Sequence, residues 1–184
     1  MIHDFSNTNS VFNAFLAEMR DTSIQKDPMR FRRNLERIAE IMAYEVSKTL
    51  EYEARVVTTP LGEAKTHLLK EQPVLATILR AGLGMHSGLL HYFDRAESAF
   101  VSAYRKHSTA EDFEIYVEYI AAPNINGKTL IITDPMLATG SSMVTVYKAL
   151  QQQGKPAKIH ILAAIAHPDA INFVREHLPD TTEI

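Results

Sequence analysis

The chain is 184 residues long, which at roughly 100–200 residues per domain is the length of one domain. Hydrophobic residues make up 46% of it, enough for one sizeable core and too many for a mainly disordered chain. Lys and Arg number 19 against 22 Asp and Glu, a net charge of −3 that argues against a broad nucleic-acid-binding surface but allows a local basic pocket for a small phosphorylated ligand. There is no cysteine, which excludes disulfides, thiolate zinc sites and cysteine nucleophiles.

The first 50 residues read as helices. Val11, Phe12, Phe15, Leu16 and Met19 share one face at helical spacing. Asp27-Pro28 is a start signal, an N-cap carboxylate followed by proline at the first helical position, and Phe31, Leu35, Ile38 and Met42 continue that helix. The apolar positions of both helices are expected in the core or at a subunit interface. Residues 54–59 and 64–69, on either side of Pro60-Leu61-Gly62, read as a β-hairpin.

From residue 73 apolar strands alternate with helices. Val74–Leu79 is a near-continuous apolar run, as expected of a strand buried on both faces. A helix over 83–93 and a strand over 98–104 follow. Phe113–Ala121 alternates as a half-exposed strand, and Thr129–Thr133 is a short buried one. A helix over 141–153 ends at Gly154 and Pro156, a buried strand covers 158–165, a last helix covers 168–178, and 181–184 opens one more strand. The expected class is α/β, a mostly parallel sheet flanked by helices, in a single domain over 1–184: a helical segment over 1–50, the hairpin 54–69 and an α/β core 73–184. Ligands of such sheets bind beyond the carboxyl ends of the strands. The longest apolar run, 161–166, is far too short to span a bilayer, and residues 1–6 carry neither the basic nor the apolar stretch of a secretory signal. The expectation is a cytoplasmic protein with no membrane partner.

Two strand ends carry the candidate chemistry. After the strand at 129–133 comes Asp134-Pro135-Met136-Leu137-Ala138-Thr139-Gly140-Ser141-Ser142, an acidic residue, a short loop, then the opening of a helix. The first backbone N–H groups of a helix have no internal partner and the dipole adds roughly half a positive charge, so an anion is favoured there. Thr139, Ser141 and Ser142 add hydroxyls, and Gly140 lets the backbone come close to a phosphate. Asp134 would repel a phosphate alone, but a carboxylate accepts two hydrogen bonds from a vicinal diol, so a sugar phosphate satisfies both halves. The same residues could instead form an ordinary capped helix, with Thr139 or Ser141 as N-cap and Asp134 as a turn former. No Gly-Lys-Ser/Thr follows, which excludes a nucleoside-triphosphatase loop.

The second strand end is Ile78-Leu79-Arg80-Ala81-Gly82-Leu83-Gly84-Met85. The spacing of Gly82, Gly84 and Gly88 admits a dinucleotide-binding reading, but an arginine opens the turn, and Ala103 and Tyr104 stand where an acid for the ribose belongs. A glycine turn without a ligand is the other bland reading. A guanidinium at a strand end, backed by a tight turn, is a suitable partner for a diphosphate. The eight histidines are scattered: His86 and His91 are five apart, and His160 and His167 flank a strand, so packing or surface roles are expected and no metal site.

These residues carry a resemblance. Asp134 to Gly140 resembles the phosphoribosyl-diphosphate motif of type I phosphoribosyltransferases, in the form seen in uracil phosphoribosyltransferases. Ile78 to Met85 is similar to the pyrophosphate loop of that family, and Met42-Ala-Tyr-Glu45 matches as well. Where the family usually has Gly-Gly-Ser, this chain has Gly140-Ser141-Ser142. The resemblance implies that Asp134 holds the ribose 2- and 3-hydroxyls and that Ala138 to Ser142 hold the 5-phosphate, with Pro135, Met136 and Leu137 completing the loop. It assigns Arg80, Ala81 and Gly82 to the diphosphate, and Arg105 to the start of a loop, 105–112, that closes over it. Asp134, Arg80 and Arg105 are its catalytic candidates. The implied reaction moves 5-phosphoribose from 5-phospho-α-D-ribose 1-diphosphate to uracil, giving UMP and diphosphate, with Mg2+ as cofactor and a homodimer or higher homo-oligomer as the assembly. The segment that recognises uracil is expected beyond Ile184. Two other functions stay open: a non-catalytic, pyrimidine-responsive RNA-binding regulator of the same fold, and a phosphoribosyltransferase for another base. The regulator's candidate surface is Arg30, Arg32, Arg33 and Arg37, which share their helix with Glu36 and Glu40 and also read as a solvated face.

Overall fold

Capping residues set the first two helices. The Ser10 hydroxyl accepts the Phe12 N–H at the start of α1 (Val11–Arg20). The Asp27 carboxylate accepts the N–H groups of Met29 and Arg30, each at 3.0 Å, and Pro28 occupies the first turn of α2 (Pro28–Ser47), as the dipeptide predicts. Phe12, Leu16 and Met19 pack with Leu35, Ile38 and Met42. Val11 is 67% exposed. The buried stripe of α1 steps by four and three from Phe12, and Val11 lies one residue, about 100°, off it. Next, β1 (Tyr52–Thr59) and β2 (Gly62–Leu69) pair antiparallel from Tyr52↔Leu69 to Thr59↔Gly62, a hairpin two residues longer on each strand than the pattern predicts.

The remaining elements are β3 (Val74–Leu79), α3 (Leu83–Leu90), β4 (Glu97–His107), β5 (Phe113–Ala121), β6 (Thr129–Thr133), β7 (Met136–Leu137), α4 (Ser141–Leu150), β8 (Lys158–Leu162), β9 (Ile165–Ala166), α5 (Pro168–His177) and β10 (Thr182–Glu183). This computed structural model describes residues 1–107 and 113–184, with the backbone alone for 104–107 and 113–115. Six strands form one sheet in the order β10-β8-β6-β3-β4-β5, in which only the β4–β5 pair is antiparallel. The strand predicted over 158–165 is two: it leaves the sheet after Leu162, and Ile165 and Ala166 pair with Met136 and Leu137 in a separate parallel ladder. An unbroken apolar run does not reveal such a change of partner. The helix predicted over 141–153 is α-helical to Leu150 and tightens to a 3-10 turn over Gln151–Gln153.

Alternating side chains of the central strands feed two cores. Val74, Ala76, Ile78, Leu130 and Ile132 join Val144, Tyr147 and Leu150 of α4 and Val174 of α5. Leu75 and Ile131 join Leu35 and Ile38 of α2 and Met85 and Leu89 of α3. Burial on both faces explains why β3 reads as an apolar run with no alternation. The parallel strands β6, β3 and β4 lie side by side at the centre, so their carboxyl ends open on one edge of the sheet. Among the described residues no helix is long and apolar enough to cross a membrane.

Candidate active site

The site grows from neighbouring strand ends. In the β3–β6 ladder Thr77 stands opposite Thr133, so Arg80, three residues on, and Asp134, one residue on, leave the sheet at the same edge. Between them sits Gly82. A Cβ there would lie 2.8 Å from the Ile78 carbonyl oxygen, 2.8 Å from Thr77 Cγ2 and 3.1 Å from the Thr133 carbonyl oxygen. The turn therefore rests directly on both strand ends, and only a residue without a side chain fits. The Gly82 N–H donates to the Ile78 carbonyl (3.0 Å), and the Gly82 carbonyl accepts the His86 N–H (2.9 Å), which opens α3. Arg80 and Ala81 lie exposed on the turn, and the Leu79–Arg80 peptide bond is cis.

Asp134 is half-buried, and burial pushes its carboxyl up to about 6, against a weaker pull downward from the Met136 N–H. After it the loop is held by backbone: the Pro135 carbonyl accepts the Ile165 N–H at 3.1 Å and the Leu137 carbonyl accepts the His167 N–H at 2.9 Å. Pro135 is buried and Leu137 is a core residue, so these two serve as scaffold, whereas Met136, Ala138 and Thr139 are exposed. Gly140 is the N-cap of α4 at φ +81°, and no side chain caps the helix. The Thr139 and Ser141 hydroxyls bond each other at 2.8 Å, so the ordinary capped helix read as an alternative is not what forms. The first amides of α4 keep their donors for an anion. The structure adds a reason for Gly140 that involves no ligand. Its left-handed backbone and its fit against α5, where a Cβ would come within 2.8 Å of the Ala170 carbonyl oxygen and 3.0 Å of Val174 Cγ2, require glycine without any ligand.

The third strand end belongs to β4, whose backbone runs to His107 and pairs Arg105 with Ile115. The Arg105 side chain and the closing loop predicted over 105–112 lie outside the described residues, except for the backbone of 105–107.

Beneath the two loops lies a feature that spacing did not show. His86, 5% exposed, makes bonds through both ring nitrogens: Nδ1 with Thr77 Oγ1 at 2.8 Å and Nε2 with Ser98 Oγ at 3.1 Å. Thr77 Oγ1 in turn meets Thr133 Oγ1 at 3.3 Å, and the imidazole packs on Phe100 with ring centroids 4.9 Å apart. Burial lowers the His86 pKa. The available signal was Thr77 and Thr133, each at or near the carboxyl end of a strand whose interior is mostly apolar.

Elsewhere, His91 meets Glu40 at 2.8 Å and lies 3.6 Å from Glu36, two carboxylates some 50 residues earlier that no local spacing reveals. Arg33 pairs with the same Glu36. Arg30 pairs with Glu18 at 2.9 Å, and Arg37 lies over the Phe15 ring at 5.1 Å. Three of the four arginines considered for RNA are thus engaged within the chain. An apolar cavity of about 390 Å³, lined by Phe12, Leu16, Met42, Val46, His160 and Leu162 among others, includes none of the loop residues described above.

A mostly parallel sheet with an arginine–glycine turn and an acid-led, helix-opening loop on adjacent strand ends is the type I phosphoribosyltransferase fold. A purine phosphoribosyltransferase from Pyrococcus horikoshii superposes with a TM-score of 0.55 at 14% identity, over 82% of this chain and 80% of that one, and shares the fold. The AQ2163 protein of Aquifex aeolicus superposes with a TM-score of 0.87 at 26% identity, over 100% of this chain and 85% of its own. Residues 6–184 match the uracil phosphoribosyltransferase family. A uracil phosphoribosyltransferase of Porphyromonas gingivalis is 55% identical over 176 residues, 96% of this chain and 82% of the relative. The chain belongs to the uracil phosphoribosyltransferase family.

Proposed function

We infer that the two loops form one donor site and that the chain is a glycosyltransferase of pyrimidine salvage, moving 5-phosphoribose from 5-phospho-α-D-ribose 1-diphosphate to uracil to give UMP and diphosphate. The observation that carries this reading is the Gly82 turn seated on the Thr133 carbonyl, which puts the diphosphate loop against the strand that delivers Asp134. The Asp134 carboxylate accepts the two ribose hydroxyls. The amides and hydroxyls from Ala138 to Ser142 take the 5-phosphate, on the loop framed by Pro135, Met136 and Leu137. Arg80, with the backbone of Ala81 and Gly82, takes the diphosphate, and Arg105 is assigned to it as well.

In the reaction the bond from the anomeric carbon to the diphosphate oxygen breaks and its electron pair leaves with the diphosphate. The N1 lone pair of uracil forms the new bond, and the N1 proton passes to solvent. Charge builds up on the leaving diphosphate as the sugar gains oxocarbenium character, so placing the reactants and preorganising positive charge around the diphosphate supply the catalysis, with no residue as nucleophile. The donors at these loops are one carboxylate, hydroxyls and backbone, a hard oxygen set that fits Mg2+ held chiefly by the substrate's own oxygens and water. When bound, that ion neutralises diphosphate charge. Closure over the donor would exclude water and limit hydrolysis. Cytoplasmic placement accords with this chemistry. A homodimer or higher homo-oligomer accords with the exposed apolar side chains Val56, Leu61 and Leu68 of the hairpin.

The test is a panel of bases with the diphosphate donor and Mg2+, following nucleotide formation. Uracil should be converted to UMP and purines left untouched. Turnover of a purine in place of uracil would overturn the base assignment, and salt-dependent RNA binding with no turnover would favour a regulator.

A further inference from the structure

The buried polar chain under the two loops has a direction. The Thr133 hydroxyl donates to the Ala76 carbonyl at 3.4 Å, so it is free to accept from Thr77. The Thr77 hydroxyl then accepts from Nδ1–H of His86, and His86 Nε2 accepts from the Ser98 hydroxyl. With this tautomer, assigned from the network, each threonine hydroxyl donates once and accepts once. Both His86 ring nitrogens are used and each threonine hydroxyl of this network is matched, the condition under which a buried polar network rigidifies what surrounds it. Burial also lowers the His86 pKa, a direction that favours the neutral imidazole this arrangement uses.

The network's position matters more than its existence. Ser98 belongs to β4, Thr77 to β3 and Thr133 to β6, the three adjacent strands whose carboxyl ends carry Arg105, Arg80 and Asp134. His86 itself stands in the first turn of α3, and its backbone N–H holds the Gly82 carbonyl. One residue thus reaches the diphosphate turn through its backbone and the sheet beneath Asp134 through its ring. Apolar packing could fill the same volume, but it is non-directional, whereas hydrogen bonds fix which atoms of the three strands meet.

We propose that His86 is a positioning residue for the phosphoribosyl donor, fixing the Arg80 turn against the strand that delivers Asp134 through the chain Ser98–His86–Thr77–Thr133. This rests on reading the two loops as one donor site. It predicts a defect confined to the donor. His86→Phe keeps a ring against Phe100 and removes both hydrogen bonds; it should raise the KM for the donor about tenfold and leave the KM for uracil within about twofold, since a shift of the supporting shell acts on the group it supports. His86→Asn places an amide where Nδ1 stands and retains the Thr77 bond, so it should bring the donor KM back to within about threefold of the parent. Thr77→Val cuts the same link from the other side, and combined with His86→Phe it should add little.

The measurements are KM and kcat for both substrates, calorimetric titration of the donor with Mg2+, and thermal unfolding of each variant. A residue that served stability alone would lower the unfolding temperature and the active fraction, and so kcat, with the donor KM unmoved. That outcome, or a His86→Asn no better than His86→Phe, overturns the proposal. If His86→Phe does not fold, His86→Asn and Thr77→Val decide: a parental donor KM in Thr77→Val overturns it. A parent protein that neither binds nor uses the donor refutes the donor-site reading itself, whereas a parent that binds it as tightly as His86→Phe does refutes only the role of His86.

Discussion

Gly82 and Gly140 are the N-caps at which the two loops of the site pass into helices, yet each is glycine for a different reason. Gly82 has an ordinary backbone, φ −70°, and is glycine because the ends of two strands press on it. Gly140 has φ +81° and presses on α5, away from the neighbouring strand ends. The first is a constraint of site assembly, the second of folding. A glycine beside a phosphate loop does not by itself report contact with phosphate; the atoms that a Cβ would meet tell the two cases apart.

The largest effect expected at either loop is on the exposed side of the Gly82 turn. Arg80→Ala should cost about 2–5 kcal/mol of transition-state stabilisation, the range for removing one partner of a charge pair that becomes desolvated, with little change in thermal unfolding. Steady-state kinetics decide it, and a loss below tenfold in kcat/KM would remove Arg80 from the diphosphate. The glycines separate next. Gly140→Ala should destabilise the fold by about 2–3 kcal/mol, since a left-handed L-residue costs about 1–2 kcal/mol and the Ala170 carbonyl must also move. In a chain of this size that is a fall of roughly 5–10 °C in unfolding temperature. Gly82→Ala adds no such backbone strain and must push apart Ile78, Thr77 and Thr133, so its main effect should be a tenfold to hundredfold loss in kcat/KM for the donor. Equal losses of stability in the two variants would erase the distinction.

Much of this was legible in the sequence alone. The Asp27-Pro28 start, the hairpin and the strand–helix alternation each follow from a local rule, and the structure realises them. The two loops were found because strand, acid, glycine and hydroxyl lie close together in one stretch of sequence, and strand, arginine and glycine in the other. What stayed hidden is what depends on pairing between distant segments. The register that sets Thr77 opposite Thr133 joins residues 56 apart, and the seat of His86 needs both that register and the pairing of β3 with β4. The departure of Ile165 from the main sheet is decided by Met136 and Leu137, which offer it another partner, and no property of the run itself shows it. The inward turn of Pro135 and Leu137 likewise follows from that short ladder.

Asp134 gives the smallest effect and the sharpest contrast with Gly140. Burial pushes its carboxyl up to about 6 in the folded chain, from a reference value of 3.8. Between those values the folded state holds more proton than the unfolded one, so stability falls as pH rises through the window and the loss is complete above about pH 6. Replacing the carboxylate with a neutral amide removes that loss. Asp134→Asn without donor should be more stable than the parent at pH 8 by about 1–2 kcal/mol, less than the full shift because the group keeps some contact with water, and indistinguishable from it near pH 4. The same variant should lose donor affinity, because an amide cannot accept both ribose hydroxyls. Thermal unfolding at the two pH values, with donor titration at pH 8, tests both halves. A parent more stable than Asp134→Asn at pH 8 would show that the carboxylate is held by partners within the chain, as a structural residue is. Stability gained and binding lost in one variant would mark Asp134 as a charge kept for its ligand, where Gly140 is kept for the fold.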